Sequence, residues 1–289
     1  MPTKIGIIGR VGFHEKLEKY GASHIKQQSV NTPFGKSAQL HSMIYRKVTF
    51  LVLSRHGESG YDISAPYVNY RANLYALKSK GVEKVIAVSA PGSLKKEIPP
   101  GSVVIPDDVI DRSCSPHRTF FEGKGIGVIR MNEPFCPSLR AMLATEIDMN
   151  FKGPHFEGGI YVSTAGPRLE TPAEVKEYIG TGGDLVGMTM APEVFLAREL
   201  ETCYAALCYP VNFAEGVAER PYSEGVLFEG LSTGEEFKTI EMIEEAIPQL
   251  ILNMMPKLEV LVRDCNCKNA LLRYKHRGDL PDNFKDWFK

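Results

Sequence analysis

The stretch "FLVLSRHGES", residues 50–59, runs Phe50, Leu51, Val52 and Leu53 straight into Arg55-His56-Gly57-Glu58. An unbroken apolar run of strand length that stops at charge and glycine marks a strand covered on both faces, the kind found in α/β sheets. Ligands of such sheets collect in the loops beyond the carboxyl ends of the strands. Arg55 offers a planar fork of donors and His56 an imidazole, together suited to clamping a phosphate.

Outward from this stretch, further strand-length apolar runs lie at residues 4–9, 84–89, 102–106, 159–163, 185–188 and 204–211, punctuated by Gly, Pro and charge. Helical patterns fall between them at 68–81, 171–179, 192–200 and 235–247. Gly81 is a stop signal for the first of these, and Thr171-Pro172 with Glu174 is cap chemistry for the second. Alternating strands and helices predict an α/β fold: a single domain with a central mixed sheet flanked by helices. Residues 1–255 are expected to form that domain, and 256–289, more polar and holding the only tryptophan, a C-terminal extension packed on it.

At 289 residues, 43% apolar and 24% charged, the chain has the composition of an ordinary globular protein, which excludes a disordered one. Its net charge of −1, with acids and bases well mixed, argues against a nucleic-acid partner. Apolar runs such as 250–255 are far too short to span a bilayer. The opening "MPTKIGIIGR" lacks a signal peptide's apolar region, so a cytoplasmic location is expected. Of the six cysteines, Cys114, Cys136, Cys203 and Cys208 read as isolated free thiols. Cys265-Asn266-Cys267 is a C-x-C pair without an evident second ligand pair, and so is read as a stability or redox feature with no metal expected.

The chemistry-bearing types gather in loops after strands. Gly9-Arg10-Val11-Gly12 can turn backbone amides toward an anion, as can Ala90-Pro91-Gly92-Ser93. Met188 and Thr189 follow the run at 185–187. Glu170 stands just before a helix start, where a carboxylate also suits the helix dipole. Asn212 follows an apolar run, where a plain turn residue is the ordinary expectation.

The "RHG" string resembles the signature of histidine phosphatases, in which the imidazole takes a phosphoryl group. That alternative needs the string on the first strand and a second catalytic histidine, and neither is evident. A wider set of motifs resembles the purine nucleoside phosphorylase and methylthioadenosine phosphorylase family. It comprises "IGIIG" at the start, "NTPFGK" at 31–36, "RHG" at 55–57, "VNYRANLYALKSKG" at 68–81, "EPFCPSLR" at 133–140, "AGPRLET" at 165–171 and "VGMTMAPEVFLARE" at 186–199.

The resemblance implies phosphate-dependent cleavage of a purine nucleoside, with inorganic phosphate as cosubstrate and no cofactor or metal. It implies a homotrimer, or a hexamer of trimers, in which the segment 117–135 reaches a neighbour's site. By the family pattern Arg55, His56, Ser89, Ala90 and Thr189 hold phosphate, with Arg10 and Val11 in the first loop. Met188, Leu169, Glu170, Asn212 and Ala214 take the nucleoside, and Asn212 and Glu170 serve catalysis on the purine.

A carboxylate at residue 170 accepts from a purine N1–H, which a 6-oxopurine has and adenine lacks. In adenine-type relatives the two positions are typically Ser and Asp, so inosine, guanosine or 5′-methylthioinosine is expected rather than methylthioadenosine. "VNFAEG" at 211–216 is similar to bacterial methylthioinosine phosphorylases. Arg10 and Val11 depart from the family's usual Gly-Gly-Thr/Ser-Gly loop, and Pro91 stands where a small residue is common. These departures leave open a non-catalytic nucleoside-binding protein.

Overall fold

The computed structural model of the chain describes residues 3–114, 117–220, 224–225 and 233–288. The run at the centre of the sequence reading is the strand Val48–Ser54, buried at every position but Thr49. It pairs in parallel with Ile5–Gly9, which pairs in parallel with Lys84–Ser89 on its other side. Such interior strands are covered on both faces, which is why their sequences are continuously apolar rather than alternating.

The main sheet has eight strands in the order His155–Glu157, Val103–Ile105, Cys203–Cys208, Lys84–Ser89, Ile5–Gly9, Val48–Ser54, Leu40–Tyr45 and Ser23–Gln28. The last two strands join antiparallel, so the sheet is mixed. A second sheet of five strands follows the order Asp108–Arg112, Ile160–Thr164, Leu185–Gly187, Gly92–Ser93 and Asn212–Phe213. The sequence signals gave no sign of two separate sheets, because two of the strands in the second have only two residues each. This division places the site: the large sheet ends its strands at one side of a cavity, and the small sheet forms another side.

The helix Tyr70–Ser79 is capped by Asn69, whose side chain accepts from the Ala72 amide. Pro172–Gly180 begins with a capping box between Thr171 and Glu174, as the sequence predicts. Met190–Glu199 is buried along almost its whole length. The expected helix at 235–247 instead runs from Gly234 to Val260, with Pro248 and Pro256 inside it. Ile243, Ile247, Ile251 and Leu258 are buried along it, and that burial outweighs the local penalty of a proline. The boundary expected at residue 256 therefore falls within a helix. Beyond it Trp287 is buried, and Phe284 and Phe288 pack against aromatic residues Phe34, Tyr75, Phe120 and Phe121. Among the described residues no helix is long and apolar enough to cross a membrane.

Candidate active site

A cavity of about 650 Å³ opens where the strand ends of the large sheet meet the small sheet, a volume typical of small-molecule sites. Arg10, Arg55, His56, Ser89 and Ala90 reach it from the ends of three neighbouring parallel strands and the loops that follow them. Leu169, Glu170, Met188, Thr189, Asn212 and Ala214 reach it from the small sheet and the loops beside it. Val11 does not line this cavity; it faces an adjoining one of about 220 Å³, which Arg10 also borders.

Arg55 is almost fully buried, at 2% exposure. Its Nε and Nη2 both donate to the carboxylate of Glu193, each at 2.9 Å, and the Tyr204 hydroxyl donates to the same carboxylate at 2.6 Å. The donor fork that the sequence suggested for phosphate is thus closed on a helix residue 138 positions away. Nη1, which reaches the Val88 carbonyl only at 3.4 Å, is the nitrogen left for a ligand. Arg10 is tied to a distant helix and strand end: its Nη1 donates to Glu244 at 2.6 Å and to the Tyr209 hydroxyl at 2.7 Å.

His56 lies against Tyr61, with ring centroids 4.7 Å apart, and its Nδ1 sits 2.9 Å from the Ile63 carbonyl. That contact requires the proton on Nδ1 and leaves Nε2 as a lone pair. Burial first, and the adjacent Arg55 guanidinium second, push His56 down to about 4. An unfolded imidazole titrates near about 6.5, so between these values the unfolded chain binds more protons and stability rises with pH. Above that window the contribution is constant. The stability difference between wild type and His56→Gln, followed by urea unfolding across this range, should grow as pH rises and then level off. A difference that stays flat would show that His56 titrates normally.

Ser89, Tyr161 and Thr189 form a buried set of hydroxyls, with Ser89 Oγ 3.3 Å from the Tyr161 hydroxyl and 3.4 Å from Thr189 Oγ1. Gly187 makes room for it, since a Cβ there would stand 2.0 Å from the Tyr161 hydroxyl. Gly166, at φ +65°, similarly admits Met188, whose sulfur lies 2.4 Å from where a Cβ would be. The Thr171–Glu174 capping box anchors the chain one residue after Glu170, and Thr164 Oγ1 donates to Glu170 Oε1 at 2.7 Å. Asn212 is buried, and its Nδ2 donates to the Phe213 carbonyl at 2.7 Å. An amide nitrogen carries two hydrogens, so one donor remains.

Tyr61, Tyr161 and Arg168 also line the cavity and were missed in the sequence. Tyr161 sits mid-strand in an apolar run, where nothing local distinguishes a hydroxyl donor from core. Glu193 did carry a signal: a lone carboxylate in the otherwise apolar "MAPEVFLA" helix demands a buried cation. His56 is the only histidine lining this cavity, so the second imidazole needed for phosphoryl transfer through histidine is absent from the described site.

A family model described as the phosphorylase superfamily matches residues 4–242. The 6-oxopurine nucleoside phosphorylase of Pyrococcus furiosus is 37% identical over 276 residues, 93% of this chain and 97% of its own. A probable S-methyl-5′-thioinosine phosphorylase of Methanothermobacter thermautotrophicus is 38% identical over 98% of this chain and 95% of its own. Among solved structures, methylthioadenosine phosphorylase from Schistosoma mansoni in complex with adenine superposes with a TM-score of 0.80 at 27% identity, over 96% of this chain and all of that one. With its strand-end cavity and near full-length likeness to these enzymes, the chain belongs to the phosphorylase superfamily, as a member of its purine nucleoside phosphorylase family.

Proposed function

We propose that the protein cleaves the N-glycosidic bond of a 6-oxopurine nucleoside with inorganic phosphate. Inosine, guanosine and 5′-methylthioinosine are the substrates that fit, and free purine and ribose 1-phosphate, or its methylthio analogue, are the products. The observation that carries this is one cavity lined both by an arginine–histidine–hydroxyl set and by the pair Glu170 and Asn212. The first group suits an oxyanion, and the second suits the edge of a purine that presents N1–H and O6.

In the reaction, a phosphate oxygen forms the new bond to the anomeric carbon as the bond to the purine nitrogen breaks. The electron pair leaves with the purine through an oxocarbenium-like transition state. Phosphate is already an anion, so no general base is needed. Nη1 of Arg55, the hydroxyls of Ser89 and Thr189, and the amides near Ala90 hold it. His56 is neutral, and its Nε2 lone pair accepts from a protonated phosphate oxygen. The free amide hydrogen of Asn212 stabilises the charge that develops on the purine. Glu170 accepts from N1–H, and Met188, Leu169 and Ala214 pack against the nucleoside. Nη1 of Arg10 is taken by Glu244 and Tyr209, and its other guanidinium nitrogens, on the wall of the same cavity, add donors for the anion.

The same proposal carries a cytoplasmic homotrimer or a hexamer of trimers. In its support, the apolar side chain of Val128, within the segment 117–135, stands 85% exposed.

Product analysis over adenosine, inosine, guanosine and their 5′-methylthio analogues, with and without phosphate, tests the proposal. Turnover of the 6-oxo nucleosides that depends strictly on phosphate is expected. Preference for methylthioadenosine would overturn the roles of Glu170 and Asn212. Nucleoside binding without turnover in phosphate would make the protein a binding module.

A further inference from the structure

Four cysteines from three distant parts of the chain converge outside the cavity. Cys136 caps the helix Pro137–Asn150, Cys203 opens the strand Cys203–Cys208, and Cys265 and Cys267 flank the start of the turn Asn266–Asn269. All four are buried, none is in a disulfide, and none lines the cavity. Their sulfur atoms all lie within 4.8 Å of one another, with Cys203 and Cys265 at 3.4 Å.

We propose that Cys136, Cys203, Cys265 and Cys267 form a structural tetrathiolate site for one zinc ion. Zinc–thiolate bonds of about 2.3 Å in a tetrahedron place the sulfur atoms about 3.8 Å apart, the scale of separation seen here. Four soft sulfur ligands with no oxygen or nitrogen among them select zinc over harder cations.

The surroundings also fit a charged centre better than four neutral thiols. Arg263 Nε lies 3.3 Å from Cys203 Sγ, and its Nη2 donates to the Glu201 carbonyl, so a half-buried guanidinium is fixed against the cluster. Zinc with four thiolates carries a net charge of −2, which such a cation offsets. Thiols acting only as small apolar side chains would gain nothing from it. The C-x-C spacing looked incomplete in the sequence because its second ligand pair comes from a helix cap and a strand start, not from a nearby motif. Bound metal would fasten the segment after the long helix to the start of the strand Cys203–Cys208 in the large sheet.

Elemental analysis of untagged protein, purified under reducing conditions without chelator, should find about one zinc per chain, as a closed four-ligand site requires. A mercurial thiol reagent should release that zinc to a chromogenic chelator. Cobalt(II) exchanged into the protein should give the visible absorption of a tetrahedral tetrathiolate. Cys265→Ser/Cys267→Ser should lose the metal, while Cys114→Ser, at an exposed thiol outside the cluster, should keep it. If the double variant does not fold, the wild-type stoichiometry and the cobalt spectrum still test the site. Wild-type protein without metal, one whose four cysteines are oxidised to two disulfides, or zinc retained by the double variant would each overturn the proposal.

Discussion

Asn212→Ala is expected to lower kcat/KM for inosine by about 10²–10³-fold, the usual consequence of removing one donor from developing negative charge. The residue is 5% exposed, and one amide hydrogen is already committed to the Phe213 carbonyl, so the side chain is held in place before substrate arrives. In the proposed reaction its interaction strengthens as the purine departs, and the loss should therefore fall mainly on kcat. In the same proposed reaction Glu170 meets N1–H in the ground state as well, so Glu170→Ala should act mainly on KM. The paired change Glu170→Ser/Asn212→Asp removes the acceptor for N1–H and the donor to O6. It should shift preference from inosine toward adenosine, because unpaired buried polar groups penalise the wrong base strongly. Steady-state kinetics at saturating phosphate measure all three. An Asn212→Ala enzyme within about threefold of wild type would remove Asn212 from the chemistry.

Glu193→Ala should destabilise the fold by about 3–5 kcal/mol, since it leaves a buried guanidinium without its counterion. Both Arg55 nitrogens that bind Glu193 do so at 2.9 Å, and the two side chains are 1% and 2% exposed. Water therefore cannot take over the lost contacts. Phosphate adds a second effect. In the wild type Arg55 meets a ligand as one half of a neutral pair, whereas in the variant it carries an unbalanced charge. Saturating phosphate should accordingly raise the urea midpoint more in Glu193→Ala than in wild type. Loss of under about 1 kcal/mol would show that Arg55 finds another partner, and equal phosphate effects would place the anion away from Arg55.

The interior strands were legible because burial on both faces leaves a continuous apolar run, as at Val48–Ser54 and Lys84–Ser89. The strand Ser23–Gln28 was not, since five of its six residues are exposed at a sheet edge and "SHIKQQ" has no apolar contrast to read. The helix Pro137–Asn150 did carry a signal, in Leu139, Leu143 and Ile147 four residues apart and buried. The long helix outran its expected end because its buried stripe continues through Pro248.

Residue types are local, and so the sequence alone determined which donors, acceptors and turns stand after each strand, and with them the family and the 6-oxopurine preference expected of it. Partnerships between distant residues are not local. Only the folded chain turned Arg55 toward Glu193, drew Arg10 to Glu244, moved Val11 out of the main cavity and brought Cys136 and Cys203 to the C-x-C pair. The physical reason is the same in each case. A buried charge or sulfur must be satisfied by whichever group lies beside it in space, and no period or spacing along the chain records that neighbour.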